Sequence, residues 1–261
     1  MYLKIFLLSL IQSLTEFLPV SSTAHLIIFG KYLKLSENIA IYSIVIQLAS
    51  ALALLIYFRK KIISTTLTLY NDKNSQNFAY KIFLGFFPCA VVGLFVYKYI
   101  KNFYNTNFVI AIALIIGGIV FLILDKLKLK TKYSNIDKMT KVSALKIGLF
   151  QIFALIPGVS RSGSTMIGGV LSGLSRKTAV EFSFLLAIPT IFLASLYEIY
   201  KSYAILTFLD IKLLIFAFFS TFVMSSLVIK LFLDYISKHN WTIFGYYRIL
   251  IGLIILYITF F

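Results

Sequence analysis

Two short polar stretches interrupt an otherwise apolar chain, and they hold residue types that phosphate chemistry uses. The first, residues 12–25, reads QSLTEFLPVSSTAH, and the second, residues 157–165, reads PGVSRSGST. The first stretch contains a carboxylate, an imidazole and a run of hydroxyls, and the second contains an arginine among hydroxyls and glycines. Together they offer a base, candidate nucleophiles and a cation that could bind an anionic group.

The first stretch carries a carboxylate within an apolar segment. Gln12 and Glu16 are four residues apart, so they share one face of a helix that Pro19 should end. A carboxylate at membrane depth is costly and is by default functional. Glu16 is therefore a candidate catalytic group, and it could hold a divalent metal that bridges phosphates.

The hydroxyls of the first stretch come where a second half-helix should begin. Ser21, Ser22 and Thr23 occupy positions typical of N-cap residues, and His25 follows Ser22 by three residues. Such hydroxyls often only satisfy backbone groups, and a lone histidine is often a packing residue. Beside a carboxylate and a serine pair, we favour a chemical role for His25, within reach of Ser22.

The second stretch has the features of an anion-binding site. Helix N-termini present unpaired N–H groups and a partial positive charge, and an arginine adds a forked cation suited to phosphate oxygens. The alternative is that the arginine pairs with a carboxylate such as Glu16 while the hydroxyls cap the helix, and both can hold in the resting state. The candidate phosphate-binding residues are Ser160, Arg161, Ser162, Ser164 and Thr165.

The composition identifies a polytopic membrane protein. Of 261 residues, 60% are hydrophobic and only 13% are charged, against about a quarter in soluble domains. The net charge of +16 fits lysine-rich loops that face anionic lipid, and we find no nucleic-acid-binding module.

Hydropathy predicts an all-α fold with six spanning helices and two broken ones. About 20 apolar residues are needed to cross a bilayer. The six continuous segments are roughly 39–58, 79–98, 107–125, 179–200, 211–233 and 243–261. Two further apolar regions, 2–35 and 143–174, are interrupted by the polar stretches, and they are best explained as re-entrant helix–loop–helix hairpins.

The two halves of the chain resemble each other. We predict a single integral membrane domain, 1–261, that contains one repeat at about 1–125 and a second at about 143–261. Each repeat has one hairpin and three spans, an odd number of crossings, so the second repeat is inverted and the two polar breaks meet near mid-membrane. Pairs at an offset of 139 include Gln12 with Gln151, Ser21 with Ser160, Gly30 with Gly169, Leu35 with Leu174 and Ser36 with Ser175.

Positive charge predicts the orientation of the chain in the membrane. Sixteen lysines and arginines fall at 59–81, 126–146, 176–177 and 230–238, and the other side holds only seven. The crowded side should be cytoplasmic. Both termini and the mouth of the first hairpin then face outward.

These motifs resemble those of the undecaprenyl-diphosphate phosphatases of the bacitracin-resistance type. The resemblance covers nearly the whole chain, including VIQLAS at 45–50, EFSFLLAIP at 181–189 and YR at 247–248. It implies hydrolysis of undecaprenyl diphosphate to the monophosphate, which recycles the lipid carrier for peptidoglycan synthesis and confers bacitracin resistance. It also implies the bacterial cytoplasmic (inner) membrane, with an active site open to the outer side, and a divalent cation, Mg²⁺ or Ca²⁺.

The resemblance also assigns roles to individual residues. Glu16 is expected to bind metal or to assist proton transfer, Ser22 to be the nucleophile and His25 its partner. Gln12 stands where many members carry a second glutamate, so a metal site that included Gln12 would have less charge. The substrate-binding set that we predict is Gln12, Ser21, Thr23, Ser160, Arg161, Ser162 and Thr165.

Several alternatives stay open at this level. Water could attack the phosphorus directly, with Ser22 only a ligand, and a lipid-carrier flippase would use the same anion site. A purely structural scaffold would leave Glu16 and Arg161 unexplained. The oligomeric state is open, a homodimer included. We also expect Glu181 to anchor Arg161 or Arg176, and Trp241 to lie at the membrane interface. Arg248 is expected to be a snorkelling or interfacial arginine, although the match at YR leaves a supporting role open.

Overall fold

The structure is a computed structural model that describes residues 1–33, 35, 39–100, 106–127, 129–206 and 211–260. It is helical throughout these ranges, apart from short turns and 3-10 segments, and it forms no β-sheet there. The helices are α1 Tyr2–Phe17, α2 Ser22–Tyr32, α3 Ile39–Tyr57, α4 Arg59–Thr68, α5 Lys73–Ile100, α6 Asn107–Lys126, α7 Lys141–Ile152, α8 Arg161–Leu171, α9 Arg176–Leu206, α10 Ile211–Lys238 and α11 Thr242–Phe260.

The predicted spans are confirmed as helices. Five of them, α5, α6, α9, α10 and α11, are long and apolar enough to cross a membrane, and α3 joined to α4 across a bend of 70° makes up to six. The protein is therefore an all-α, multi-pass membrane protein. Helix α4 was not predicted. It is a mostly polar helix that begins at the charged run 59–61 and turns away from the apolar α3.

Helix α5 begins six residues before the predicted span because Asp72 caps it. The Asp72 carboxylate accepts hydrogen bonds from the backbone N–H groups of Asn74 at 3.1 Å and Ser75 at 3.0 Å, and from the Ser75 hydroxyl at 2.9 Å. These bonds stabilise the charged form and lower the pKa of Asp72 below its ordinary value. The cap lets a polar first turn precede the apolar part of the helix.

Both interrupted regions are broken helices, as predicted. Helices α1 and α2 have 16 and 11 residues, and α7 and α8 have 12 and 11. At 1.5 Å per residue each is shorter than the roughly 30 Å core of a bilayer. The partners in each pair pack against each other, which brings each break to the tip of a helical hairpin.

The halves of the chain pack reciprocally. Helix α1 packs against α10, and its counterpart α7 packs against α5, while α6 pairs with α11 and α3 with α9. A two-fold relation between the halves would produce this exchange of partners. The inverted direction of the second repeat stays a prediction, and the pairing of Ser36 falls outside the described residues.

The contact between α6 and α11 depends on two facing glycines. A Cβ on Gly118 would lie 2.6 Å from the carbonyl oxygen of Gly245, and a Cβ on Gly245 would lie 3.0 Å from that of Gly118. Small residues allow such close backbone approach between helices in membranes. Arg248 lies one turn further along α11, where it is fully buried.

Replacing Gly245 with alanine should lower the thermal unfolding midpoint by about 5 °C, because the added methyl forces the two backbones apart. Gly93→Ala is the matched control, since its Cβ would meet only a leucine side-chain carbon at 3.5 Å. The control should leave the midpoint unchanged or raise it slightly, because alanine favours helix. Equal midpoints for the two variants, measured by thermal unfolding in detergent, would contradict this packing.

Candidate active site

The two helix breaks use the same unusual backbone turn. Ser21 has φ of 71° and Ser160 has φ of 75°, and they are the only non-glycine residues with positive φ in the described part of the chain. Such a conformation is uncommon outside glycine and costs of order 1 kcal/mol or more, so it is often found where function requires it. Ser21 and Ser160 are 139 residues apart, and each directly precedes a helix of 11 residues.

The two breaks meet through an ion pair. Arg161 Nη2 lies 2.9 Å from Glu16 Oε1, with the side chains only 13% and 9% exposed. Ser22 Oγ donates to Glu16 Oε2 at 2.6 Å, and Gln12 Nε2 lies 3.2 Å from the same oxygen. The pairing of Arg161 with Glu16, one of the alternatives that the sequence left open, is confirmed.

A cavity of about 180 Å³ opens at this ion pair. Its polar wall comes from both breaks, and Gln47 of α3 and Thr190 of α9 complete it. Hydroxyls, one carboxylate and one guanidinium thus face the same small space. The predicted site residues that line it are Glu16, Ser21, Ser22, Thr23, Ser160, Arg161 and Ser162.

Neighbouring bonds fix the second break in place. Arg161 Nη1 donates to the Ser183 carbonyl at 3.1 Å, and Ser162 Oγ donates to the Leu18 carbonyl of the first break at 3.0 Å. Ser160 caps its own helix, because its Oγ accepts from the Gly163 N–H at 3.1 Å. The Arg161 guanidinium is therefore held by both Glu16 and the Ser183 carbonyl before any substrate binds.

The structure does not place Thr165, Ser164 or Gln12 in the cavity wall. Thr165 Oγ1 lies 2.6 Å from Ser183 Oγ and within bonding distance of two carbonyls in its own helix, so it holds α8 against α9. Ser164 is buried. Gln12 is fully buried behind Glu16, where it acts on the carboxylate rather than on the cavity.

His25 is not a partner of Ser22 in this structure. Its Nδ1 lies 2.8 Å from the Ser21 carbonyl and must donate to it, so in the neutral ring Nε2 accepts from the Tyr247 hydroxyl at 2.8 Å. The two rings are also stacked, with 4° between their planes. The expectation from spacing failed because the turn at Ser21 presents its carbonyl to His25, while Glu16 binds the Ser22 hydroxyl.

Arg248 does not lie at the membrane interface, so that expectation was wrong. It is fully buried, and its guanidinium contacts both breaks, which agrees with the supporting role that the YR match left open. A charged group inside an apolar span was a signal that could have found it. Its acceptors are the carbonyl oxygens of Pro19 at 2.9 Å, Gly158 at 3.2 Å, Val159 at 3.1 Å, Ala113 at 3.1 Å and Leu114 at 3.3 Å.

Two further expectations were wrong. Glu181 anchors neither arginine, because Arg161 pairs with Glu16, and Arg176 pairs with Asp125 at 2.6 Å. Trp241 is 1% exposed, and it packs edge-on against a phenylalanine of α6 instead of lying at the surface. Both errors concern partners that lie far away in the sequence.

The donor set for a metal is small. Within the described ranges, no three His, Cys, Asp or Glu side chains cluster as a metal site. Gln12 Oε1 is buried without a hydrogen-bond partner, and the nitrogen of the same amide donates to the Glu16 carboxylate. One carboxylate and one unsatisfied amide oxygen fit an Mg²⁺ or Ca²⁺ ion that takes its remaining ligands from phosphates and water.

Comparison with known proteins identifies the family. The model of the family described as Bacitracin resistance protein BacA matches residues 5–254. The chain belongs to this family. The resemblance seen in the two polar motifs is thereby confirmed.

Relatives match nearly the full length of the chain. One from Thermoanaerobacter sp. is 41% identical over 256 residues, covering 97% of this chain and 95% of its own. One from Methylobacillus flagellatus is 40% identical over 260 residues, covering 97% and 96%. One from Neisseria gonorrhoeae is 38% identical over 256 residues, covering 97% and 94%. Each of the three is named undecaprenyl-diphosphatase.

Proposed function

We propose that this protein hydrolyses undecaprenyl diphosphate to undecaprenyl phosphate and inorganic phosphate. The observation that carries the proposal is the hydrogen bond between Ser22 and Glu16 beside Arg161, at the meeting point of two broken membrane helices. A nucleophile, a base and a phosphate-binding cation then share one cavity. The names of the relatives in the BacA family support the same substrate.

The site suits the headgroup of an amphiphile. Arg161 and the N–H groups at the starts of α2 and α8 can neutralise phosphate charge, and the prenyl tail can remain in lipid. The positive-charge count supports an opening toward the outer side of the bacterial cytoplasmic membrane. The product would then be the monophosphate carrier that cell-wall synthesis reuses.

Ser22 is the nucleophile in this proposal, and Glu16 takes its proton. As Ser22 Oγ bonds to the terminal phosphorus, its proton moves across the 2.6 Å hydrogen bond to the carboxylate. The bond from that phosphorus to the bridging oxygen breaks, and undecaprenyl phosphate leaves. Water then attacks the phosphoserine and the bond from phosphorus to Ser22 Oγ breaks. Glu16 returns its proton to that oxygen, which restores both the hydroxyl and the carboxylate, and inorganic phosphate leaves. Arg161 stabilises the charge that the transferred group carries.

A bound divalent cation, Mg²⁺ or Ca²⁺, would neutralise part of the diphosphate charge. Glu16 lines the cavity and would hold it; the Gln12 amide now turns its nitrogen to Glu16, so Gln12 would join as a ligand with this amide turned over. Because Gln12 is neutral, the site should depend on the substrate phosphates for affinity. The protein alone should therefore bind the ion weakly.

The flippase alternative finds no support. The relatives are named as diphosphatases, and transport of a phosphorylated lipid would need the anion site but no hydroxyl hydrogen-bonded to a carboxylate. Phosphate release separates the two functions. We would incubate the detergent-solubilised protein with a short prenyl diphosphate, with and without Mg²⁺ or Ca²⁺. No release from folded, monodisperse protein in any metal would contradict the proposal.

Ser22→Ala should lower the rate of phosphate release by at least about a thousandfold, because the variant lacks the attacking oxygen. Rapid acid quenching of the wild type under single-turnover conditions should trap phosphate on Ser22. The control is Ser226→Ala, which removes an exposed hydroxyl of α10 and should leave the rate unchanged. A Ser22→Ala rate within tenfold of the wild type would instead support direct attack by water.

Gln12→Glu should make the protein more dependent on metal. Without Mg²⁺ the new carboxylate repels Glu16, so the thermal midpoint should fall, whereas the added charge should lower the half-saturating Mg²⁺ concentration about tenfold. Gln151→Glu is the matched control, since it buries a carboxylate at the corresponding position of the second hairpin. Mg²⁺ should restore the midpoint of Gln12→Glu only, and equal restoration of both would contradict the proposed ligand set.

A further inference from the structure

A second cavity, of about 740 Å³, lies away from the active site. It is bounded by the segment 129–131, the start of α9 and the connection between α10 and α11, and it shares no lining residue with the first cavity. Arg176 lines it, and Thr190, fourteen residues further along α9, lines the active site. At 1.5 Å per residue, the two cavities are about 20 Å apart along this helix.

The walls of this second cavity carry excess positive charge. Among the described residues that line it, the cations are Lys130, Arg176, Lys177 and Lys238, and Asp125 is the one carboxylate. Asp125 is already engaged, because it pairs with Arg176 at 2.6 Å and accepts a hydrogen bond from Thr242 at 2.9 Å. The three lysines form no salt bridge within the ranges that the structure describes.

Apolar side chains complete the same walls. Trp241 is among the lining residues, and its indole N–H is buried without an acceptor in the described part of the chain. Leu127 and Leu129 also line the cavity, and they are 49% and 41% exposed. A cationic interior beside exposed leucines suits a ligand with an anionic head and an apolar body.

We propose that the second cavity binds the phosphate headgroup of an anionic amphiphile. Its volume lies within the roughly 300–1,000 Å³ typical of small-molecule sites. Lysine clusters on the cytoplasmic side of membrane proteins attract anionic lipids, and the charge count predicts that this cavity lies on that side. The proposal rests on the cavity alone and holds whether or not the active site acts as proposed.

The only tryptophan of the chain lines this cavity and supplies a probe. We would titrate the detergent-solubilised full-length protein with a short-chain phosphatidate, at fixed ionic strength, and follow the emission of Trp241. The expected result is a saturable change. Lys177→Gln combined with Lys238→Gln should weaken the binding about thirtyfold, given roughly 1 kcal/mol per lysine. Lys60→Gln, an exposed lysine of α4 outside the cavity, should not.

Titrations with a second ligand, inorganic phosphate, identify whether the bound phosphate group is free or belongs to a lipid. A saturable response to inorganic phosphate with the same lysine dependence would assign the site to free phosphate, and a response to phosphatidate alone would assign it to a lipid headgroup. Native mass spectrometry provides a second readout, because a retained phosphatidate should be lost in the double variant. An equal response to short-chain phosphatidylcholine, or binding that is unchanged in the double variant, or no binding by either readout, would overturn the proposal.

Discussion

Replacing Arg161 with alanine is expected to lower kcat/KM for phosphate release by about a thousandfold, which is the loss typical of removing a preorganised cation from a phosphoryl-transfer site. The same change leaves Glu16, which is 9% exposed, without its cationic partner. Arg161→Lys should recover little of the activity. A single ammonium group cannot contact Glu16 Oε1, the Ser183 carbonyl and a phosphate with the forked geometry of a guanidinium.

The control for this prediction is Arg59→Ala. Arg59 is an exposed arginine of α4, and its Nη1 donates a hydrogen bond to the Ile56 carbonyl of α3. Its removal should leave kcat/KM within twofold of the wild type. If Arg161→Ala kept more than a tenth of the wild-type value, the guanidinium would not be the main phosphate-binding group.

Replacing Arg248 with methionine should reduce both stability and activity. Methionine preserves much of the volume but leaves carbonyl oxygens of both breaks without their buried donor, which costs several kcal/mol. A loss of about 3 to 5 kcal/mol should lower the thermal midpoint by about 10 °C in a chain of this length. Activity should fall even well below that midpoint, because the turns that carry Ser22 and Arg161 lose the group that holds them together.

Arg248→Lys separates positioning from simple packing. Lysine keeps the charge and up to three donors, so part of the stability should return while kcat stays low and KM changes little. Arg59→Met is the control for loss of an arginine at the surface. Wild-type kcat in folded Arg248→Met would show that the two breaks stay together without the buried guanidinium.

The helices could be predicted because their signals are local. Apolar runs of about 20 residues gave α3 as 39–58, against Ile39–Tyr57 in the structure. Pro19 and Pro157 marked both breaks, since proline removes a donor and disfavours helix in the residue before it. Helix α4 could not be predicted because seven of its ten residues are polar, so it has no hydropathy signal. The start of α5 could not be predicted because its cap lies outside the apolar run.

The site residues could be predicted from their types, but not all of their partners could. A carboxylate and an arginine in apolar sequence have few possible partners, so the ion pair of Glu16 and Arg161 could be predicted as one alternative. The contacts of Arg248 were not, because carbonyl oxygens occur at every residue, and tertiary packing alone selects five of them. The predicted pairing of His25 with Ser22 failed for a related reason, because the backbone turn at Ser21 places a carbonyl oxygen next to the imidazole.

A double-variant cycle tests most directly whether the two hairpins form one catalytic site. We would measure kcat/KM for phosphate release with Glu16→Gln, Arg161→Ala and the double variant. We expect each single change to lower kcat/KM about a thousandfold. The double variant should be little worse than either, because the effects of groups that act as a unit are not additive. Losses that multiply in the double variant, or a single variant that keeps full activity, would contradict the claim of a shared site.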